Sequence, residues 1–372
     1  MKKVAPWLMG VVLGLGMLGS ALAGVRTVTD SVGRTVTVPT DPRRIVCLGP
    51  GALRLIVYLN ATALLAGVED IEKSSLGGRP YALAHPEFAR LPRVGPGGPG
   101  GTNQKPDMEA VLSVQPQVVF ITYMEPPLAD EVQQTLGVPV VVLSYGRFAT
   151  FDDEVLNSIL VAGKVLNRET RAREIVDFID TIRKDLQRRT QDFPPDQKLK
   201  AYVGGIGHRG AFGIESTEQH YIPMLWVNAV NMAESVEARL GSHVFMDKER
   251  LLALDPEVIF LDGGGLALVL DDYRKKPALY EALRAFRDRR IYTLLPFNSY
   301  TTNIDTALAD AFAVGKILYP DRFEDIDPEK KADEIYMFFV NSPVYGTLKG
   351  VYGPIGARAP FWKDGQTQAV GR

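Results

Sequence analysis

Two hydrophobic rhythms alternate along this chain. Short runs rich in Val, Ile and Leu occupy residues 44–48, 64–68, 118–122 and 138–143 in the first half, and 199–204, 258–262 and 290–295 in the second. Helical spacing of apolar positions fills the intervals. That alternation predicts βαβ units and a mostly parallel sheet. Residues 26–38 alternate Val and Thr with Asp and Arg around Ser31-Val32-Gly33, the pattern of a small β-hairpin.

Between the halves lies a long helical stretch. Val155, Leu156, Ile159 and Leu160 keep helical spacing within 151–165. Asn167 marks a break, and 168–189 resumes with Ile175, Val176, Ile179, Ile182 and Leu186 on one face and charges on the other. Phe193-Pro194-Pro195 stops it. Such a helix acts as a stiff strut between two α/β halves. An internal repeat supports two halves of similar topology: residues 108–122 align without gaps onto 248–262, with Glu109/Glu249, Leu112/Leu252, Pro116/Pro256, Val118/Val258 and Phe120/Phe260 coinciding. The expected architecture is α/β, two Rossmann-like lobes with mostly parallel sheets joined by a single long helix. The expected segments are 1–23, 24–150 (first lobe), 151–192 (linking helices), 193–322 (second lobe) and 323–372, a C-terminal helix over 327–340 followed by a Gly/Pro-rich tail with Tyr345, Tyr352, Phe361 and Trp362.

The ends and the composition narrow the setting. Lys2 and Lys3 precede an uncharged apolar run, and Ser20-Ala21-Leu22-Ala23 offers a small-x-small cleavage site before Gly24. This is the order of a secretory signal peptide, cleaved near Ala23. The run is short and glycine-diluted for a membrane span. The mature chain is therefore expected to be exported, soluble and periplasmic. The single Cys47 lies in the buried-strand pattern Ile45-Val46-Cys47-Leu48 and cannot form an internal disulfide. Roughly 350 mature residues favour two cores over one. A net charge of −2 speaks against a nucleic-acid partner.

In open parallel sheets a ligand sits beyond the carboxyl ends of the strands. Those ends carry Gly49-Pro50-Gly51, the glycine-rich loop 95–101, Tyr123-Met124-Glu125, Tyr145-Gly146-Arg147, His208-Arg209-Gly210, Gly263-Gly264-Gly265, and the segment 297–303 with Tyr300 and Thr301. Backbone access combined with aromatics, Arg and His suits a flat or bulky anionic chelate. Gly205-Ile206-Gly207-His208-Arg209-Gly210 matches a dinucleotide fingerprint, but no clean helix begins after it, so dinucleotide binding is not expected. Four histidines, with His85 alone in the first half, do not suggest a bare-metal cage; His208 remains a possible single ligand to a chelated metal. No nucleophile elbow, zincin motif or Walker loop is present.

Several segments resemble a known family. Val28-Thr29-Asp30-Ser31-Val32-Gly33-Arg34, Pro39, and Pro42-Arg43-Arg44-Ile45-Val46 match the start of the mature domain in class III periplasmic binding proteins, which serve ABC importers of ferric siderophores, haem and cobalamin. Leu136-Gly137-Val138-Pro139-Val140 and Leu254-Asp255-Pro256-Glu257-Val258-Ile259 fall where that family has similar segments. Gly213-Ile214-Glu215-Ser216-Thr217, residues 301–310 and Gly315-Lys316-Ile317-Leu318-Tyr319-Pro320 resemble its metal-complex receptors. The resemblance spans about 26–339. It implies a monomeric, non-enzymatic receptor with no intrinsic cofactor that delivers an iron or other metal chelate to an inner-membrane permease. It implies ligand contacts from Tyr123, Arg147, His208, Arg209 and Tyr300, with Tyr221, Glu215 and Thr301 next, and permease docking through one acid per lobe, Glu131 and Asp271, which the repeat places opposite each other. An oxyanion such as molybdate, held by backbone amides of the glycine-rich loops, is the alternative ligand. An exported α/β enzyme is the third reading.

Overall fold

The computed structural model describes residues 24–74, 77–147, 151–207, 210–236 and 242–362. The expected signal segment, 1–23, lies outside the described residues.

The first lobe opens with an antiparallel hairpin, β1 (Val25–Thr29) and β2 (Thr35–Pro39). Four parallel strands follow: β3 (Ile45–Leu48), β4 (Leu65–Gly67), β5 (Val118–Thr122) and β6 (Val140–Leu143), in the order β4-β3-β5-β6. Every residue of these four strands is buried, as expected for a parallel sheet covered on both faces. That explains why they read as continuous apolar runs without alternation. The second lobe contains β7 (Lys200–Gly204), β8 (Ser216–Glu218), β9 (Val230–Asn231), β10 (His243–Phe245), β11 (Val258–Asp262) and β12 (Ile291–Leu294). Its parallel sheet runs β9-β7-β11-β12, and β8 pairs antiparallel with β10 beside it. Both lobes thus share one winding, with their first strand second in the sheet.

The repeat is one structural unit used twice. Helices Met108–Ser113 and Lys248–Leu254 lead into β5 and β11, which are third in their sheets. Asp107 and Asp247 cap them alike, each side chain accepting from the amide three residues on, Ala110 (3.1 Å) and Arg250 (2.7 Å).

The helix Glu154–Val165, expected as part of the link, belongs to the first lobe. Its buried Val155, Leu156, Ile159 and Ala162 pack into that core, and its Ser158 Oγ bonds Ser31 Oγ and Ser144 N, each at 2.8 Å. Of the two helices expected as the link, Glu169–Thr190 is the one that runs between the lobes. Its Arg171 donates to Tyr58 O in the first lobe (3.0 Å), and its Arg189 donates to both carboxylate oxygens of Asp325 (2.6 and 2.8 Å).

Among the described residues, the C-terminal region packs against both lobes. Helix Pro328–Val340, capped by Asp327, sets Phe339 4.7 Å from Tyr58 of the first lobe and Tyr336 Oη 3.1 Å from Thr306 Oγ1 of the second. After a short helix, Tyr345–Tyr352, the chain runs antiparallel along the outer edge of β12. Thr293 N donates to Ala357 O, Gly356 N to Thr293 O and Ala359 N to Ile291 O. Phe361 and Trp362 then join Tyr273 and Phe286 in an aromatic cluster. This covers an edge that would otherwise be free to pair. Truncation after Gly353 is expected to lower stability by about 3–5 kcal/mol through the lost aromatic burial and backbone bonds, read as a fall in the urea midpoint. An unchanged midpoint would show the tail to be energetically idle.

Candidate functional site

Each sheet has a switch point, between β3 and β5 and between β7 and β11, where successive crossovers leave in opposite directions. Both are built the same way. Gly49 (φ +81°) follows β3 and sits against Thr122, the last residue of β5; a Cβ there would lie 2.8 Å from Thr122 Oγ1. Gly205 (φ +77°) follows β7 and faces Asp262, the last residue of β11. Gly265 is tighter still, a Cβ there falling 2.3 Å from Gly205 O. Only glycine lets these loops close over the strand ends.

The two switch points meet through the segment after β12. Residues 297–303 of the second lobe lie across the carboxyl ends of the first lobe's strands. Tyr300 Oη donates to Glu69 Oε2 (2.8 Å) and accepts from Gly98 N (3.0 Å). Tyr123 Oη and Thr301 Oγ1 are 3.1 Å apart. Ser299 Oγ donates to Gly77 O (2.7 Å). Three non-glycine residues of this junction are left-handed: Tyr123 (φ +55°), Tyr300 (φ +55°) and Thr301 (φ +66°). For a β-branched Thr that is a true outlier, and each such residue stores on the order of 1–3 kcal/mol. The C-terminal region reaches the same place: the Tyr352 ring packs on Gly263, and its hydroxyl lies near Gly77.

The acids here are held close to neutral. Burial pushes Glu69 up to about 7, against hydrogen bonds from Tyr300 and Gly49 that oppose the shift. Burial raises Asp262 to about 7 as well, opposed by the Gly264 amide. Glu218 and Asp310, fully buried beneath the second lobe's switch point, are pushed well above the usual carboxylate range by the same cause, reinforced by Asp262. Beside Glu69 opens a cavity of about 250 Å³, roofed by Gly95–Gly97 and Gly100–Gly101 and edged by Thr122, Gln104 and Lys105.

Of the residues expected at the mouth, Tyr123, Tyr300 and Thr301 come together. Arg147 does not join them: its side chain is 80% exposed and its guanidinium approaches Asp152 at 3.9 Å. Tyr221 is a correction. It is fully buried, its ring 5.3 Å from Phe297, because it leads into the apolar helix Ile222–Trp226 that packs in the core. Glu215 is half-buried at the start of β8 and stays within the second lobe, its carbonyl accepting from Met246 N. His208 and Arg209 lie outside the described residues. Glu131 and Asp271 are exposed on their respective lobes, paired with Lys105 (2.5 Å) and Lys275 (2.6 Å). Among the described residues, no group of three or more His, Cys, Asp or Glu is placed to hold a metal ion. Glu69 and Arg54 were not anticipated. Glu69 stands two residues beyond β4, so the strand-end rule could have found it.

Comparisons with known proteins agree with this geometry. A family model described as periplasmic binding protein matches residues 45–296. The chain is 26% identical over 344 residues to the molybdate-binding protein MolA of Haemophilus influenzae, covering 86% of this chain and 92% of MolA. The solved structure of MolA bound to molybdate superposes with a TM-score of 0.65 at 22% identity, covering 85% of this chain and 98% of that one. The Helicobacter pylori protein CeuE with Ni(II) bound gives a TM-score of 0.60 at 15% identity, covering 85% and 96%.

Proposed function

The chain belongs to the periplasmic binding protein family, and from that premise we propose that its interlobe mouth captures a compact metal oxyanion of the molybdate class. The protein is the substrate-binding component of an ABC importer and not an enzyme. The observation that carries the ligand reading is the small cavity of about 250 Å³ beside Glu69, lined by first-lobe residues, with Tyr300 of the second lobe bonded to that same Glu69. That volume is below the usual range for drug-sized ligands. The glycine-rich roof brings backbone close to a small ligand, and a protonated Glu69 donates to an oxyanion that an ionised one repels. Oxyanion affinity should therefore rise as pH falls through about 7. The named activity of the 26%-identical relative points the same way.

A chelate, whether ferric siderophore, haem or corrinoid, is the second reading. The clustered Tyr123, Tyr145 and Tyr300 favour it, since phenol rings give apolar contact and hard oxygen donors. Thermal denaturation with molybdate, tungstate, haem, cobalamin, ferric siderophores and nickel chelates separates the two. The true ligand at a hundredfold excess over Kd should add about 2.7 kcal/mol. Stabilisation by a chelate alone sinks the oxyanion reading.

The remaining assignments follow the family. The protein works as a monomer outside the cytoplasm after cleavage near Ala23, and Glu131 and Asp271 dock it to the permease, one from each lobe. Reversing both charges should abolish uptake and leave ligand affinity within about twofold, since both side chains are exposed. Uptake that survives the double reversal would refute the docking pair.

A further inference from the structure

We infer that Arg54 is the positioning residue that sets the Tyr300–Thr301 turn in the ligand mouth, an inference that rests on the mouth being the binding site. Arg54 lies in the first turn of the helix Ala52–Tyr58, the only charged residue in an otherwise apolar stretch, and is fully buried. All of its bonds lead to the mouth. Nε donates to Asn303 Oδ1 (2.9 Å). Nη1 donates to Thr302 O (2.9 Å) and Tyr145 Oη (3.3 Å). Nη2 donates to Ser299 O (2.9 Å) and Tyr300 O (3.0 Å). The five N–H groups of the guanidinium meet five acceptors, four of them on the other lobe.

The positions of those acceptors give the inference its content. The carbonyls of Ser299, Tyr300 and Thr302 and the side chain of Asn303 bracket Tyr300 and Thr301, the two consecutive residues in left-handed backbone. Neither side chain favours that conformation, so something outside the turn must hold it. A planar fork of fixed geometry can grip several carbonyls at once; an ammonium cannot reproduce that spread. The ring of Tyr81 lies 4.8 Å from the guanidinium carbon, and Tyr145 Oη donates on to Gly51 O (3.0 Å). The arginine is itself fixed by the first lobe, and through it the first lobe dictates where Tyr300 meets Glu69 and Thr301 meets Tyr123.

The test uses the full mature chain. In Arg54→Lys without ligand, amide hydrogen exchange across residues 298–303 should accelerate at least about tenfold while the amides of β5 and β11 keep their protection. Affinity for molybdate, by calorimetry at a temperature where the variant is folded, should weaken by about tenfold or more. Should Arg54→Lys fail to fold, Asn303→Ser removes the Nε acceptor with Arg54 in place and carries the same expectation. Exchange that stays at the wild-type rate in 298–303, or rises equally everywhere, overturns the inference. So does loop-confined acceleration with unchanged affinity, because a merely structural arginine would give that result. If wild-type protein ignores molybdate, it is the proposed ligand that falls; the exchange experiment still decides Arg54, with affinity measured for whichever compound stabilised the wild type.

Discussion

Replacing Gly51 with valine is expected to abolish ligand capture and to lower stability by about 2–5 kcal/mol. The site allows no side chain. A Cβ on Gly51 would lie 2.6 Å from both Thr301 Cγ2 and Tyr145 Cε2, and the backbone there has φ +82°. Left-handed backbone costs a branched residue about 1–2 kcal/mol, and overpacking a tight contact typically adds about 1–3. Neither neighbour yields cheaply: Tyr145 is buried and hydrogen-bonded to Gly51 O, and Thr301 is already strained. The least costly relaxation lifts residues 297–303 off the first lobe, which separates Thr301 from Tyr123 and Tyr300 from Glu69. Calorimetric unfolding and ligand titration would read both effects. Affinity within threefold of wild type would show that this contact does not shape the mouth.

Stability should rise, not fall, on mild acidification. Glu69 and Asp262 titrate near 7 in the folded protein, against ordinary values of about 4 unfolded. Between those values the folded state binds more protons. The stabilisation is fully present below about pH 4 and is lost as pH climbs through about 7, beyond which stability is level. Going from pH 8 to 5.5 should therefore add roughly 2 kcal/mol from each group. Asp305, raised to about 6 by burial, adds a smaller amount with the same sign, and Glu218 and Asp310, pushed well above the usual carboxylate range by burial, act in the same direction. Glu69→Gln and Asp262→Asn should each remove their share and be more stable than wild type at pH 8. Urea midpoints at pH 5.5, 7 and 8 decide the matter; a midpoint that climbs towards pH 8 contradicts the assignment.

The fold was legible wherever burial on both faces wrote continuous apolar runs. β5 and β11 fall on the residues expected, and β3, β4, β6, β7 and β12 differ by one or two residues at their ends. β8, β9 and β10 were not seen, because two or three residues carry no periodicity and their pairing is set by tertiary contact. The helix Glu154–Val165 was assigned to the link because helical spacing reports that a face is buried, not against which lobe. At the mouth, Tyr123, Tyr300 and Thr301, all read from strand ends, come together. Tyr221 was misplaced, since a polar-tipped aromatic near a strand reads the same in a cleft as in a core. Arg54 had a signal of its own: a charge inside Ala52-Leu53-Arg54-Leu55-Ile56-Val57-Tyr58 must find partners when buried. Composition alone leaves open whether the Gly/Pro-rich tail packs, and its Phe361 and Trp362 pack on Tyr273 and Phe286 of the second lobe.

The paired switch points carry one more implication. Gly49 against Thr122 and Gly205 against Asp262 are the same joint made twice, but the buried residue that ends the strand carries a hydroxyl in one copy and a carboxyl in the other. Duplicated architecture alone would make the two joints interchangeable. Unlike chemistry at equivalent positions breaks that equivalence: the Thr122 hydroxyl is spent on Pro50 O, whereas burial pushes the Asp262 carboxyl up to about 7, so the two joints answer acidification differently.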